Sequence, residues 1–435
     1  MNKAVDGGPL SPLFAWITRR PRHALCLSLL ILLVPLPFLA DLVKDTRSDA
    51  FLADDNPALV YKDKISAAFG LNDPVVLAVV DESAAGIYRP QTLRLIEELT
   101  AGIRELPNIN RERVTSLATE RNIRAQGDDI DIRPFLEPFP ETAEALADLR
   151  EAVSNVELYS GTLVSADGQM ALVTAEMIDE NEAERTYRLL HQLVEEATTP
   201  PGVQLHLAGE GVIAGYLGAY IDSDALRLNP LAGLIINLTI FLAFLRISPA
   251  LLSNVIIVAS VGITLAVMAL LDIAFFVITN ALPVILIGIS VADAIHIYSE
   301  YYALRRQRPE AAVESVVRET MANMWRPITL TTITTMCGFM GLYLAAIMPP
   351  FKYFGLFATL GVFIAWLFSM LFLPAALVLT RPQPRSTRHG GVDGFARIAN
   401  GLGQASLRHA RVTLALAVAV AAYGLWAASK LQIEE

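Results

Sequence analysis

The chain has 435 residues, of which 54% are hydrophobic and 18% are charged. Soluble globular domains carry about 25% charged residues, so the composition excludes an ordinary soluble protein. The net charge of −10 is unevenly distributed, because residues 44–227 contain 16 basic and 33 acidic residues whereas the rest contains 18 and 11. Nucleic-acid-binding proteins carry a concentrated basic surface, and the large acidic segment here is the opposite of that pattern. Together with the apolar composition, it indicates a membrane protein with a large polar insertion.

Seven runs of 17 to 28 residues contain no charged side chain. A membrane-spanning helix needs about 20 apolar residues, so we expect seven such helices. The runs are 24–40, 228–245, 250–271, 273–292, 327–351, 353–380 and 412–429. The first run follows Arg19, Arg20 and Arg22, as a signal peptide would, but it lacks an Ala-x-Ala cleavage site and is predicted to be a retained helix.

The basic residues between the runs predict the orientation. Arginines cluster before the first run, between the fourth and fifth, and between the sixth and seventh, whereas the opposite turns carry only Asp272 and Lys352. The positive-inside rule therefore predicts a cytoplasmic N-terminus. The predicted organisation is a cytoplasmic N-terminus at 1–22, helix 1 at 23–43, an extracytoplasmic domain at 44–227, helices 2–6 at 228–380, a cytoplasmic linker at 381–411 and helix 7 at 412–429.

The exported segment has α+β patterning. Strands are predicted at 74–80, 114–118, 158–164, 169–177 and 203–208, and helices at 90–106, 141–153 and 182–197. Asp167-Gly168 is a strong hairpin signal. This order of elements predicts a ferredoxin-like split βαβ sandwich with an inserted helix.

The seventh run resembles the first. His23-Ala24 and His409-Ala410 each precede an apolar run, and the two histidines are 386 positions apart. Internal repeats are common in transporters, so we expect helix 7 to begin a second copy of the preceding unit in a longer natural polypeptide. The alternative is a complete seven-helix protein in which the likeness is accidental.

The chemistry concentrates in the fourth run and its extension, where Asp293 is the only charged residue between 273 and 299. A carboxylate in hydrocarbon costs about 2.5–3.5 kcal/mol on insertion scales, so such a group faces protein or water and marks ion and proton pathways. Asp293 is therefore predicted to relay protons or cations. The alternative is a carboxyl held in a structural hydrogen bond.

Neighbouring residues extend this candidate site. His296, three residues later, shares a helix face with Asp293 and is a candidate relay, although packing is the commoner role for such a histidine. Pro283 can interrupt the helix and Gly288 allows close helix approach. No catalytic constellation and no second His/Cys/Glu pair is recognisable, so we expect neither an enzyme active site nor a metal.

Other polar and aromatic residues are weaker candidates. Thr331 and Thr335 could line a proton path to Asp293, or could instead bond their own helix backbone. Asn237, Asn254 and Asn280 are predicted to hold helices together. Three phenylalanines of the exported segment could line an apolar entry path, with core packing as the alternative: Phe51, Phe135 and Phe139.

The chain resembles the N-terminal half of a resistance–nodulation–division (RND) transporter, in the MMPL-like branch related to sterol-sensing and Patched-like proteins. The most specific motifs are 288–296 (GISVADAIH) and 326–332 (RPITLTT). Weaker ones are 51–57 (FLADDNP), 69–70 (FG), 116–119 (SLAT), 337–339 (CGF), 354–355 (FG) and 373–375 (LPA). Many relatives read Gly-x-x-x-Asp-Tyr. Here Ala292 takes the first acidic position and Asp293 the next, which rotates the acid by about 100°.

The resemblance implies an α-helical polytopic inner-membrane protein with a six-helix repeat, the first helix of a second repeat, and a ferredoxin-like porter domain outside. It also implies export or relocation of lipids or other hydrophobic or amphipathic molecules. Protons are the coupling ion and no cofactor is expected. Expected partners are membrane lipids, the substrate, the second repeat and further copies of the chain, but not nucleic acid. A lipid-sensing receptor of the same architecture is the alternative.

Overall fold

The computed structural model describes residues 9–53, 55–70, 74–126, 129–156, 158–383 and 401–430. Seven helices there are long and apolar enough to cross a membrane, which confirms the predicted polytopic helical fold. In chain order the principal helices are α1 (Ser11–Arg19), α2 (Pro21–Leu33), α3 (Pro57–Phe69), α4 (Pro90–Glu105), α5 (Ala143–Ser154), α6 (Ala183–Glu196), α7 (Glu210–Phe244), α8 (Ile247–Leu270), α9 (Ala281–Gln307), α10 (Val313–Ala345), α11 (Pro349–Thr380) and α12 (Ala410–Ala428).

Helix α11 lies at the centre of the membrane bundle, where it packs against α2, α8, α9 and α10. Most of its side chains are buried. Gly361 lets it approach its neighbours closely, since a Cβ there would lie 2.4 Å from Leu286 Cδ1. The Gly361 carbonyl accepts a hydrogen bond of 2.8 Å from Ser260 Oγ on α8. Small residues and interhelical hydrogen bonds of this kind associate helices in lipid.

Helices α7 and α10 begin well before their uncharged runs. Helix α7 begins at Glu210 and α10 begins at Val313, whereas the runs begin at residues 228 and 327. Helical hydrogen bonding does not stop where charged side chains appear, so both helices extend beyond the apolar stretch. Helix α12 has no buried residue and stands apart from the rest of the described chain.

The polar insertion contains a three-stranded antiparallel sheet. Its strands are β2 (Pro74–Asp81), β5 (Met170–Glu176) and β6 (Val203–Ala208), in the order β5-β2-β6. In this register Leu77 lies opposite both Val173 and Leu207. Helices α4 and α6 cover the sheet, and the predicted apolar face of α4 is confirmed, because Leu93, Ile96, Leu99 and Ile103 are buried in the core.

Two predicted strands are wrong. Within 114–118 only Thr115 pairs with β5, because the Thr119 hydroxyl accepts from the Ser116 amide and donates to the Ser116 carbonyl, which turns the chain. Within 158–164 only the end pairs with β5, where Val164 bridges Ala171, because the amides of Leu163 and Val164 both donate to the Tyr159 carbonyl and turn the chain before it. The predicted turn at Asp167-Gly168 is present and leads into β5.

Three further elements were not predicted. They are α1, α3 and the hairpin of β3 (Arg121–Gln126) with β4 (Asp129–Pro134). In addition, β1 (Lys44–Asp45) pairs in parallel with β7 (Phe275–Phe276), with Lys44 opposite Phe275. This short pair ties the chain that leaves α2 to the connection between α8 and α9.

Candidate functional site

Asp293 lies on α9, which packs against α7, α8, α10 and α11. Its side chain is partly buried. Among the described residues it has no hydrogen-bond or ion-pair partner. The structural hydrogen bond considered as its alternative role is therefore absent from the described part of the chain.

The residues around Asp293 form an exposed stripe along α9, consisting of Gly288, Ala292 and His296. A Cβ added at Gly288 would contact nothing within 4 Å, so no helix of the described chain approaches it there. Ala292 lies on this stripe, whereas Asp293 is turned towards the bundle. The predicted common face of Asp293 and His296 is only partly present, because His296 is exposed whereas Asp293 is partly buried against the bundle.

Pro283 lies at the third position of α9 and is buried. The first amides of a helix have no intrahelical acceptor, so a proline there interrupts little of the helix. Helix α9 continues without a break to Gln307. The hinge role predicted for Pro283 remains a prediction.

The threonines of α10 bond their own helix. Thr331 Oγ1 donates to the Ile328 carbonyl at 2.8 Å, and Thr335 Oγ1 donates to the Thr331 carbonyl at 2.9 Å. Neither hydroxyl is bonded to Asp293. Asn323 of α10 donates to Glu300 of α9 at 2.7 Å, which fixes the register of these antiparallel helices. Asp293 and Thr331 lie seven and eight residues from that contact, and so at similar depth, since each residue rises about 1.5 Å.

The aromatic candidates divide between core and surface. Phe135 is buried and packs edge-to-face on Tyr159, with ring centroids 5.2 Å apart. Phe139 packs at the edge of the same core and stacks under Arg94 at 5.1 Å. Phe51 is partly buried at the end of a short 3₁₀ turn. The structure therefore does not bring the three rings together in one core.

An ionic network that the sequence did not predict joins the polar domain to the membrane helices. Lys44 of β1 pairs with Glu184 of α6 and Asp222 of α7, and Arg188 pairs with the same two acids. A cavity of about 150 Å³ lies beside Lys44. The Lys44 partners are 140 and 178 positions away in sequence, so no local pattern could reveal them.

Helices α6 and α7 meet at very close range beside this network. A Cβ at Gly215 of α7 would lie 2.3 Å from the Ala183 carbonyl oxygen and 2.5 Å from Tyr187 Cβ. Only glycine permits this approach. The polar domain is therefore packed directly onto the helix that continues into the membrane.

A sequence model of the MMPL family matches residues 52–406, which is more than half of the chain and includes both the polar domain and the helices α7 to α11. A comparison with curated proteins finds no match.

Proposed function

Because this chain belongs to the MMPL family, we propose that it is an RND-type transporter that uses the proton-motive force to export or relocate lipids or other hydrophobic molecules. Membership supports the general activity of a membrane transporter. Proton coupling is a proposal supported by Asp293, an acid on a membrane helix with no partner among the described residues. Such intramembrane acids are costly and mark functional pathways.

We assign the polar domain to the outside of the inner membrane. The arginine clusters on the opposite side of the membrane support this orientation. The domain serves as the ferredoxin-like porter domain expected from the resemblance. Support comes from the observed β5-β2-β6 order and from the Thr115 bridge on the free side of β5, because this arrangement has the strand neighbours of a split βαβ unit.

The exposed stripe on α9 would form part of a protein interface. Thr331 and His296 are both exposed, and polar side chains of membrane helices face protein or water rather than lipid. A second helical repeat, or a second copy of the chain, would cover them and enclose Asp293. Protonation of Asp293 would then remove a charge from a buried interface and shift the balance between two helix arrangements.

The link to the porter domain runs through α7. Its outer part carries Gly215 and Asp222, which contact α6, and its inner part packs against α8 and α9. A shift of α7 in the membrane therefore moves α6. This continuity supports a mechanism in which proton uptake at Asp293 changes the conformation of the outer domain.

The test is pH-driven lipid movement in proteoliposomes that contain the purified protein. Asp293→Asn preserves the size of the side chain but cannot release a proton, so we expect it to abolish the part of the transport rate that depends on the pH gradient. Asp272→Asn is the matched control, because Asp272 is exposed in the connection between α8 and α9. Unchanged gradient-driven transport in Asp293→Asn would refute coupling through this acid. Lipid binding without any transport in the native protein would favour the sensor.

A further inference from the structure

Three polar groups at the turn between α7 and α8 are enclosed without a hydrogen-bond partner in the described chain. They are the hydroxyls of Tyr298 and Tyr302 on α9 and the Nε of Arg246 in the turn. Both tyrosines are more than nine-tenths buried. Nearly all buried polar groups in proteins are hydrogen-bonded, so three unpaired donors at one place require an explanation.

The contacts place these groups together. The Phe244 ring, two residues before Arg246, lies 5.7 Å from the rings of both Tyr298 and Tyr302. The two tyrosine rings stack at 6.3 Å. Arg246 lies close enough to Tyr302 for a direct electrostatic interaction with its hydroxyl.

The first turn of α8 adds to this group of donors. Arg246 is the N-cap residue of this 24-residue helix, and no side chain caps its free amides. A helix N-terminus carries a partial positive charge and readily binds anions. Arg246 has no acidic partner among the described residues, so its charge is not neutralised by the protein there.

We propose that the α7–α8 turn is a binding site for a phosphate group, carried either by a lipid or by a free anion. Arg246 supplies the charge, the hydroxyl of Tyr302 donates a hydrogen bond, and the amides of Ile247 and Ser248, which precede Pro249 in the first turn of α8, complete the site. The guanidinium and the amides can only donate, and the tyrosine hydroxyl is able to donate, which matches the acceptor oxygens of a phosphate and disfavours a cation. Tyr298 stacks on Tyr302 and holds its ring in place.

The site lies apart from Asp293 and does not depend on the proposed proton coupling. Tyr302 is nine positions after Asp293 on α9, which is about 13 Å along the helix. It also shares its end of the bundle with Arg305 and Arg306, the predicted cytoplasmic side. Binding can therefore be measured without transport, and failure of one proposal leaves the other intact.

The test measures the thermal unfolding midpoint of the whole chain in detergent. The three probes are inorganic phosphate, phosphatidylglycerol and the phosphate-free lipid diacylglycerol. A ligand that binds only the folded state raises the midpoint as its concentration rises. We expect phosphatidylglycerol, inorganic phosphate or both to stabilise the native protein, and diacylglycerol to have no effect. Stabilisation by phosphatidylglycerol alone identifies a lipid ligand, whereas stabilisation by inorganic phosphate identifies a site for the free anion.

Tyr302→Phe is the decisive variant, because it keeps the ring packing and removes only an unpaired hydroxyl. Without the probe it should unfold at the same temperature as the native protein or higher. With the probe its affinity should fall by about tenfold, the loss expected for one hydrogen bond to a charged group. Arg246→Gln should weaken binding at least as much, whereas Arg306→Gln removes an exposed charge of the same helix and should leave binding unchanged. Absence of stabilisation by both phosphate probes, or equal effects of Arg246→Gln and Arg306→Gln, would overturn the proposal.

Discussion

Asp81 is a fully buried acid of the polar domain whose partners all lie nearby in sequence. Its carboxylate accepts a hydrogen bond of 2.7 Å from Thr92 Oγ1 and forms an ion pair with Arg89, at 2.6 Å from Nη2. Burial by itself would raise the pKa of Asp81, but the hydrogen bonds from the surrounding donors outweigh it and lower the pKa below its usual value. The folded domain therefore stabilises the charged form of this side chain.

This lowered pKa predicts acid sensitivity. A group whose folded-state pKa lies below its unfolded value contributes stability above about pH 4, and this contribution is lost as the pH falls through the folded value. We expect the thermal unfolding midpoint of the protein to decrease once the pH is below about 4, and to decrease less steeply in Asp81→Asn. Thermal unfolding measured between pH 6 and pH 3 gives this pH dependence, and the exposed Glu98→Gln serves as the control. An identical pH profile in Asp81→Asn would contradict this role.

Asn237 and Asn254 show how a polar pair joins two membrane helices. Each amide donates to the carbonyl oxygen of the other, at 3.1 and 2.8 Å, which confirms the predicted interhelical role of these two residues. We expect Asn237→Leu and Asn254→Leu each to lower the free energy of unfolding, with a coupling of about 0.6 kcal/mol and at most about 1.7 kcal/mol. A double-mutant cycle by reversible unfolding in detergent measures it. Strictly additive effects would show that the pair contributes no coupling.

At the scale of elements, the membrane helices could be predicted because lipid imposes a length and a composition on them. Helix α3 could not be found by periodicity, since none of its residues is buried. Its signals were local: Asn56 caps its first turn, Pro57 begins it, and Gly70 ends it in the left-handed conformation with φ of +62°. The β3–β4 hairpin had a similar signal in Gly127-Asp128, two residues that lie outside the described part.

The candidate site was predictable in part because lipid also excludes charged residues from membrane helices, so that an exception is conspicuous. A single acid in an apolar run is visible in the sequence, and so is its shift from position 292 to 293. The bonding of Thr331 and Thr335 to their own backbone was one of two alternatives, and only the structure shows which one occurs. The unpaired donors at Tyr302 and Arg246 depend on three-dimensional packing and leave no trace in the local pattern.

The close contact of α6 with α7 leads to a prediction about one glycine. Gly215→Ala would place a methyl group 2.3 Å from a backbone oxygen of α6, so the helices must separate, at a cost of about 1–3 kcal/mol. We expect a lower unfolding midpoint and faster hydrogen exchange in α6. Gly233→Ala is the matched control on the same helix, because its Cβ would contact nothing within 4 Å. Equal stability of the two variants would show that the contact is not tight.

At the scale of the whole molecule, the ionic network around Lys44 connects three regions that are distant in sequence. These are β1 after the first membrane helix, α6 of the polar domain, and α7. Its members are partly exposed, so each pair contributes only about 0.2–1 kcal/mol and is screened by salt. The pairs place β1 and the start of α6 against the outer part of α7.

Lys44→Met should therefore loosen this junction more than it lowers overall stability. We expect faster hydrogen exchange in β1 and in the first turns of α6, with a loss of stability of about 0.5–1 kcal/mol. Because salt screens the same pairs in the native protein, the difference between the two proteins should shrink at high ionic strength. Exposed Lys64→Met serves as the control. Equal exchange at low salt in the native protein and Lys44→Met would exclude a role for the network.

Helix α7 can act as a lever between the membrane bundle and the polar domain, because it is long and contains an internal proline. Its 35 residues span about 52 Å at a rise of about 1.5 Å per residue. Pro230 lies within it and removes one hydrogen bond, to the carbonyl four residues earlier. A rotation of about 5° around that point displaces the outer end, some 30 Å away, by about 2.6 Å, given the same rise per residue. A small rotation of α7 at Pro230 is therefore enlarged at its outer end, where Gly215 and Asp222 contact α6.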